Sequence, residues 1–198
     1  MEKLILARHA ESVYSVRGLV NGDASVAVGL TEVGEEQARE LARLLADEPL
    51  DLCVTSALPR TGDTARLALD GRTIPAEAWA DLDDPRAGAF EGRTLDEYRR
   101  WAWASGSAES APGGGESRLA VISRYVRAYR VLLDRPERRI LAVVHALVIS
   151  YVLRALEGEP PAPRMDRPIP LAHPYTLSPA ELEQALEVLE GWCARPTW

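Results

Sequence analysis

The chain is poor in lysine: of its 23 lysine and arginine residues, only Lys3 is a lysine. A P-loop phosphate site requires a lysine inside a Gly-Lys-Ser/Thr triplet, and the sequence contains no such triplet. This class of nucleotide-binding site is therefore excluded. Any binding of phosphate has to rely on arginines, whose planar guanidinium groups suit tetrahedral oxyanions.

Cysteines and long apolar runs are also scarce. The two cysteines, Cys53 and Cys193, lie far apart, so we expect free thiols in a reducing cytoplasm and no disulfide framework. No apolar stretch approaches the length of a membrane span, and we expect no signal peptide. A net charge of −7 disfavours nucleic acid and anionic membranes as partners. The composition therefore predicts a cytoplasmic protein with neither of these partners.

The length and hydrophobicity predict one globular domain over residues 1–198, since 46% of the residues are hydrophobic. Short apolar runs that are typical of buried strands alternate with helical segments. This alternation predicts a three-layer α/β/α fold with a mostly parallel central sheet and helices on both faces. The predicted strands are residues 4–7, 52–56, 74–79 and 140–144.

Capping residues and prolines predict where the other segments begin and end. Thr31, Pro59, the Thr94–Glu97 capping box and Ser178 are placed to begin helices. The Gly- and Ser-rich residues 105–115 predict a mobile loop, and residues 93–116 as a whole predict a cap or lid. Further helices are expected at 116–133 and 146–156, and the six prolines between residues 160 and 174 predict an extended segment.

Polar side chains stand at three junctions of this pattern. Arg8 and His9 follow the first predicted strand, Arg60 lies at the start of the helix after the second, and His145 follows the fourth. A helix N-terminus favours a bound anion. Because the carboxyl ends of parallel strands meet at one edge of a sheet, we expect these four side chains to converge. A single buried histidine would be unremarkable, but three coincidences favour a site.

Two histidines and two arginines at one sheet edge suit phosphoryl transfer through a covalent phosphohistidine. The arginines and a second, protonated histidine would stabilise the charge on the phosphoryl oxygens. A carboxylic acid would protonate the leaving oxygen and then, as a carboxylate, activate water. The loop at residues 81–92 carries three aspartates and Glu91, so it can supply that carboxyl group.

The sequence resembles the histidine phosphatase superfamily, whose members are also called phosphoglycerate mutase-like. The family signature Arg-His-Gly-Glu corresponds to Arg8-His9-Ala10-Glu11, and the later motifs follow in the expected order. These are Leu-Thr-x-x-Gly-x-x-Gln-Ala at 30–38, Ser-x-Leu-x-Arg-x-x-x-Thr-Ala at 56–65, Gly-x-Phe-Glu-Gly at 88–92, Gly-Glu-Ser at 115–117 and an apolar strand that ends at His145.

The resemblance implies that His9 becomes phosphorylated while Arg8, Arg60 and His145 hold the phosphoryl group. Asp84 occupies the position of the proton donor, which is usually a glutamate in this family, and Glu91 is the alternative donor. Ser15 stands where an asparagine often contacts the phosphate, so it is assigned to that contact, with Asn21 or Arg17 as possible substitutes. Glu11, Glu91 and Glu116 are expected to orient arginines or loops, and alanines at 10 and 146 replace the usual glycines.

The function implied by the resemblance is hydrolysis of a small phosphorylated metabolite by a phosphomonoesterase that needs neither a metal ion nor a cofactor. A mutase is the first alternative, disfavoured because family mutases are generally longer. A weakened module that only binds a phosphorylated ligand is the second, since Asp84 replaces a glutamate. A zinc site of His9, His145 and His173 is disfavoured by the ligand spacing and by the two arginines.

Two properties stay open at this point. Trp101 and Trp103 could form a wall of the substrate pocket or pack against the sheet, and the second interpretation is favoured. The oligomeric state has no clear sequence signal, and a homodimer is compatible with the chain.

Overall fold

The computed structural model describes residues 1–165 and 167–198. Its centre is a five-stranded sheet in the order β3-β2-β4-β1-β5, in which β5 alone pairs in the antiparallel sense. Helices cover both faces, so the predicted three-layer α/β/α fold is confirmed. The strands are β1 (Lys3–Arg8), β2 (Leu52–Thr55), β3 (Ala76–Ala78), β4 (Arg139–Val144) and β5 (Pro174–Leu177).

The α-helices of the described chain begin close to the capping residues that the sequence indicates. Thr31, Thr94, Ser117 and Ser178 each accept a hydrogen bond from a backbone N–H in the first turn, which satisfies a donor that the helix itself leaves free. The helices are α1 (Val13–Val16), α2 (Glu32–Leu44), α3 (Pro59–Ala68), α4 (Leu95–Ala104), α5 (Arg118–Leu133), α6 (Ala146–Leu156) and α7 (Pro179–Ala194), with short 3₁₀ helices at Ala80–Leu82 and Gly88–Phe90.

The core consists of two layers that β1 joins. Successive side chains of a strand point to opposite faces of the sheet. Leu4 and Leu6 therefore pack with α5, α6 and α7, whereas Ile5 and Ala7 pack with α2 and α3. All four side chains are almost completely buried. This explains why the strand reads as an uninterrupted apolar run instead of an alternating one.

Some elements differ from the sequence-based expectations. The third strand is only three residues long, because it lies at the sheet edge and pairs with β2 alone. The strand β5 and the short helix α1 were not expected. The loop at 105–115 is anchored by Ser107, whose backbone N–H bonds the carbonyl of Trp198 at 3.0 Å. No helix in the described residues has both the length and the hydropathy required to span a membrane.

Candidate active site

The register of the central strands brings the two histidines together. Arg8 pairs with Val144 at the end of the parallel β1–β4 ladder, and the backbone N–H of His9 donates to the carbonyl of Val144 at 2.9 Å. His9 and His145 follow these strand ends directly, and their ring centroids lie 5.3 Å apart. Only 4% of His9 and 0% of His145 is exposed. The convergence expected from the sequence is therefore present in the fold.

The hydrogen bonding of His9 leaves one ring nitrogen for chemistry. Nδ1 lies 2.7 Å from the carbonyl oxygen of Ala10, and because a carbonyl can only accept, Nδ1 carries the proton. Nε2 then holds a lone pair. Burial, followed by the charges of Arg60 and Arg8, lowers the pKa of His9 well below 6.5. The imidazole is thus neutral at neutral pH, as a nucleophile must be.

Arg60 is buried at the start of α3, where it connects three parts of the chain. Pro59 begins α3, so Arg60 lies in the first turn of that helix. Its Nη1 donates to the backbone and side-chain oxygens of Asn21 at 3.1 and 2.8 Å. Its Nη2 lies 3.0 Å from Oδ2 of Asp84 and 3.1 Å from Nδ1 of His145. One guanidinium therefore fixes an amide, a carboxylate and an imidazole.

The neighbours of His145 determine its protonation state. A guanidinium can only donate, so Nδ1 of His145 accepts the bond from Arg60, and Nε2 donates to Oγ of Ser56 at 2.8 Å. Burial, and then the charge of Arg60, lowers the pKa of His145 well below 6.5. The imidazole of His145 is thus neutral in the free protein, whereas the protonated form expected during phosphoryl transfer stays a prediction.

Arg8 links the site to the proline-rich segment. Its Nη1 donates to the carbonyl of Ile169 at 2.7 Å, and the N–H of Ala172 donates back to the Arg8 carbonyl at 3.0 Å. Its Nε is buried and makes no hydrogen bond with the described residues. Burial lowers the pKa of Arg8, which nevertheless stays cationic at neutral pH.

Asp84 lies between Arg60 and His145. Its Oδ2 is 3.7 Å from Nδ1 of His145, and 32% of its side chain is exposed. It is the one carboxylate among the described residues that line the cavity in front of the histidines. Asp84 can therefore exchange protons with a bound molecule while its position is fixed by Arg60.

A second buried arginine, Arg124 of α5, holds the loop that carries Asp84. It donates to the carbonyls of Asp81, Asp83 and Asp84. Nε and Nη2 of Arg124 also form a bidentate pair with Glu116 at 2.9 and 3.0 Å. Although burial alone would raise it, the pKa of Glu116 is lowered because Arg124 bonds the carboxylate. Glu116 thus acts on the site through Arg124, and sequence inspection missed this arginine.

The other two glutamates of the motifs join loops. Glu91 accepts from the N–H groups of Gly22 and Ala87 at 2.9 and 2.7 Å, so both of its oxygens are engaged by backbone. Glu91 is not among the residues that line the cavity. Glu11 accepts from Oγ1 of Thr31 at 2.7 Å, which ties the loop after His9 to the start of α2.

Ser15 is placed at the cavity, but its hydroxyl is used locally. Oγ of Ser15 donates to the carbonyl of Ser12 and accepts from the Ser12 N–H, each at 2.8 Å. This arrangement is a capping box at the start of α1. Asn21, by contrast, lines the cavity and bonds Arg60.

The cavity in front of the histidines has a volume of about 610 Å³. Its lining contains Arg8, His9 and Arg60 together with further arginines and apolar side chains. Trp103 lines this cavity, but Trp101 packs against Phe90 and Tyr98, so the two tryptophans have different roles.

The third histidine does not join the first two. His173 packs edge-on against Tyr175, with the two ring centroids 5.1 Å apart. It is absent from the cavity lining. The described residues contain no group of three or more His, Cys, Asp or Glu side chains that could hold a metal ion.

Comparison with known proteins agrees with this geometry. The family model of the histidine phosphatase superfamily (branch 1) matches residues 4–191. The chain is 33% identical over 168 residues to the adenosylcobalamin/alpha-ribazole phosphatase of Salmonella typhimurium strain LT2, covering 81% of this chain and 82% of the relative. It is also 33% identical over 174 residues to a 2,3-bisphosphoglycerate-dependent phosphoglycerate mutase of Methylobacterium sp. strain 4-46, covering 80% and 82%.

A solved structure gives the same result. The alpha-ribazole phosphatase from Shigella flexneri is similar with a TM-score of 0.69 and 33% identity, over 80% of this chain and 81% of that one. The protein belongs to the histidine phosphatase superfamily, in its branch 1, as the family model shows.

The close contact between Gly34 and the backbone of Glu11 can be tested by substitution. A Cβ at Gly34 would lie 2.0 Å from the carbonyl oxygen of Glu11. We expect Gly34→Ala to lower the free energy of unfolding by about 1–3 kcal/mol because the backbone must shift. Gly62→Ala on α3 is the matched control, since no atom lies within 4 Å of its Cβ; it should gain up to about 1 kcal/mol. Equal stability of the two variants in urea titrations would contradict the contact.

The two buried histidines predict a pH-dependent stability. Their pKa values in the folded protein lie well below 6.5, so near that pH the unfolded chain binds protons that the folded chain does not. The free energy of unfolding should therefore fall as the pH is lowered through 6.5, by up to about 1.4 kcal/mol per pH unit for each histidine. Denaturant titrations between pH of about 7.5 and 5.5 measure the slope. His145→Asn should reduce it by about half; an unchanged slope would refute the assignment.

Proposed function

We propose that the protein is a phosphomonoesterase that hydrolyses a small phosphorylated metabolite through a phosphohistidine on His9, without a metal ion or cofactor. The observation that carries the proposal is the neutral His9 ring, whose Nδ1 is held by a carbonyl while Nε2 remains unprotonated beside Arg60 and His145. The family relationship and the phosphatases among the relatives support the same reaction class.

In the first step, the Nε2 lone pair of His9 attacks phosphorus and the bond from phosphorus to the leaving oxygen breaks. Arg8 and Arg60 offset the negative charge of the phosphoryl oxygens, as guanidinium groups do in other phosphoryl transfers. Asp84, in its protonated form, gives its proton to the leaving oxygen.

In the second step, water attacks the phosphohistidine. Asp84, now a carboxylate, takes a proton from the water as its oxygen bonds to phosphorus. The bond from phosphorus to Nε2 breaks, inorganic phosphate leaves and His9 returns to the neutral ring. His145, already neutral, donates through Nε2 to Ser56 in the free protein, and it lies close enough to His9 to contact the transferred group.

Hydrolysis is favoured over a mutase reaction by the cavity. Its volume of about 610 Å³ and the apolar side chains in its lining suit a leaving group larger than a three-carbon acid. The mutase among the relatives keeps the alternative testable by conversion between 3- and 2-phosphoglycerate. The retained group of His9, His145, Arg8 and Arg60 speaks against a module that only binds its ligand.

We also propose that the protein acts in the cytoplasm. Cys53 and Cys193 are both free thiols, as a reducing compartment maintains them. Burial raises the pKa of Cys53 to about 12, so this thiol is unreactive. A homodimer remains a prediction from the sequence.

Replacement of His9 tests the nucleophile. We expect the wild type to hydrolyse p-nitrophenyl phosphate equally with and without EDTA, and His9→Ala to lose at least about 10⁴-fold in kcat/KM. Rapid acid-free quenching with ³²P-labelled substrate should trap protein-bound phosphate that is stable to alkali and labile to acid. Activity that survives in His9→Ala, or activity that EDTA abolishes, would refute the proposal.

Replacement of Asp84 tests the proton donor. Asp84→Asn should slow hydrolysis of an alkyl phosphate by about 10²–10⁴-fold, but hydrolysis of p-nitrophenyl phosphate far less, because nitrophenolate leaves without a proton. Glu91→Gln is the matched control, since its oxygens bond the N–H groups of Gly22 and Ala87; it should slow both substrates by the same factor. If the leaving-group dependence appears in Glu91→Gln instead, Glu91 is the donor.

A further inference from the structure

The outer part of the cavity has a wall that the phosphoryl chemistry does not use. Leu95, Tyr98, Arg99 and Trp103 of α4 all line the cavity. Their spacing of three, four and eight residues from Leu95 places them on one face of the helix. Arg118, the first residue of α5, lines the cavity as well. We call these five residues the α4 wall.

Arg99 and Arg118 of the α4 wall form no ion pair with a carboxylate of the described residues. No Asp or Glu oxygen in that part of the chain lies within 4.0 Å of their nitrogens. Arg167, which also lines the cavity, differs because it pairs with Glu157 at 2.7 Å. Asp84 acts on Arg118 through space, but its carboxylate bonds Arg60.

Arg118 has neighbours that stabilise its charge. The phenols of Tyr151, Tyr98 and Tyr125 and the carboxylate of Asp84 raise the pKa of Arg118 against the lowering effect of burial. Burial raises the pKa of each of these tyrosines, so the phenols are neutral at neutral pH. Arg118 therefore stays cationic at the cavity, and no carboxylate of the described residues forms an ion pair with it. An anion that enters the cavity can bond this guanidinium directly.

Apolar side chains also line the cavity. Among them are Leu19, Leu147 and Met165. Trp103 is 40% exposed, and the guanidinium of Arg164 lies 4.7 Å from the centre of its ring. The cavity lining therefore combines apolar side chains with the arginines of the phosphoryl site and of the α4 wall.

We infer that the leaving group of the substrate carries a second anionic group, a carboxylate or a phosphate, which Arg99 and Arg118 bind. The apolar or ring-bearing part of the leaving group lies against Trp103, Leu147 and Met165. This inference rests on the proposed function, because it takes the phosphoryl group to lie between Arg8, Arg60 and His9. It makes Arg99 and Arg118 determinants of specificity and not of catalysis.

The experiment compares two esters that differ in charge alone. These are 3-(4-phosphonooxyphenyl)propanoate and its carboxamide, whose phenols are nearly equally acidic. Their binding to the non-hydrolysing variant His9→Ala is measured by calorimetry at low salt. The carboxylate should bind at least about tenfold more tightly, which corresponds to about 1.4 kcal/mol. In the same background, Arg118→Met and Arg99→Met should each reduce this preference at least about threefold.

The matched control is Arg66→Met, since Arg66 is exposed on α3 and lies outside the cavity. It should leave the preference unchanged, and circular dichroism verifies that each variant folds. Equal affinities of the two esters, or a preference that survives both Arg99→Met and Arg118→Met, would overturn the inference. A third ester with a phosphonate in place of the carboxylate tells which anion is preferred. Turnover of the same esters by the wild type tests the proposed hydrolysis separately.

Discussion

The active site depends on the burial of one guanidinium. Arg60 is a cation with 4% exposure, and such a group is stable only when its donors are bonded and its charge is offset. Asn21, Asp84 and His145 supply those partners from three distant parts of the chain. The requirement of Arg60 for acceptors therefore determines where the amide of Asn21, the carboxylate of Asp84 and the imidazole of His145 lie. It also keeps His145 neutral, because the ring must accept a bond from a permanent donor.

Around this centre, carboxylates that do not touch the cavity fix the loops. Glu11 bonds the start of α2, Glu91 bonds two backbone N–H groups, and Glu116 pairs with Arg124. Both oxygens of Glu91 and of Glu116 accept hydrogen bonds from backbone or arginine donors, and such charge-assisted hydrogen bonds are the strong ones. Close backbone contacts add to this: a Cβ at Gly22 would lie 2.0 Å from the carbonyl of Pro85. In this chain the family motifs thus mainly connect loops to neighbouring elements, and few of their residues line the cavity.

The sequence predicted the layers of the fold and the meeting of His9, Arg60 and His145, because apolar runs and strand ends are local signals. It did not predict β5, whose residues follow a proline-rich segment and pair with β1 from the far end of the chain. Nor could it predict the neutral state of His145, which results from burial and a neighbour 85 positions away. Only the packing shows that one face of α4 lines the cavity and that Trp101 and Trp103 have different neighbours.

The proline-rich segment that contains Ile169 and Ala172 is attached to the site through its main chain. Ile169 accepts from Arg8 with its carbonyl, and Ala172 donates to Arg8 with its N–H, so both attachments use main-chain atoms. Side chains at these positions are not needed for the attachment. Mutation can therefore change the side chains of this segment while its hydrogen bonds to Arg8 stay intact. Such a separation lets one catalytic centre be inherited unchanged by enzymes that come to differ in the metabolites they accept.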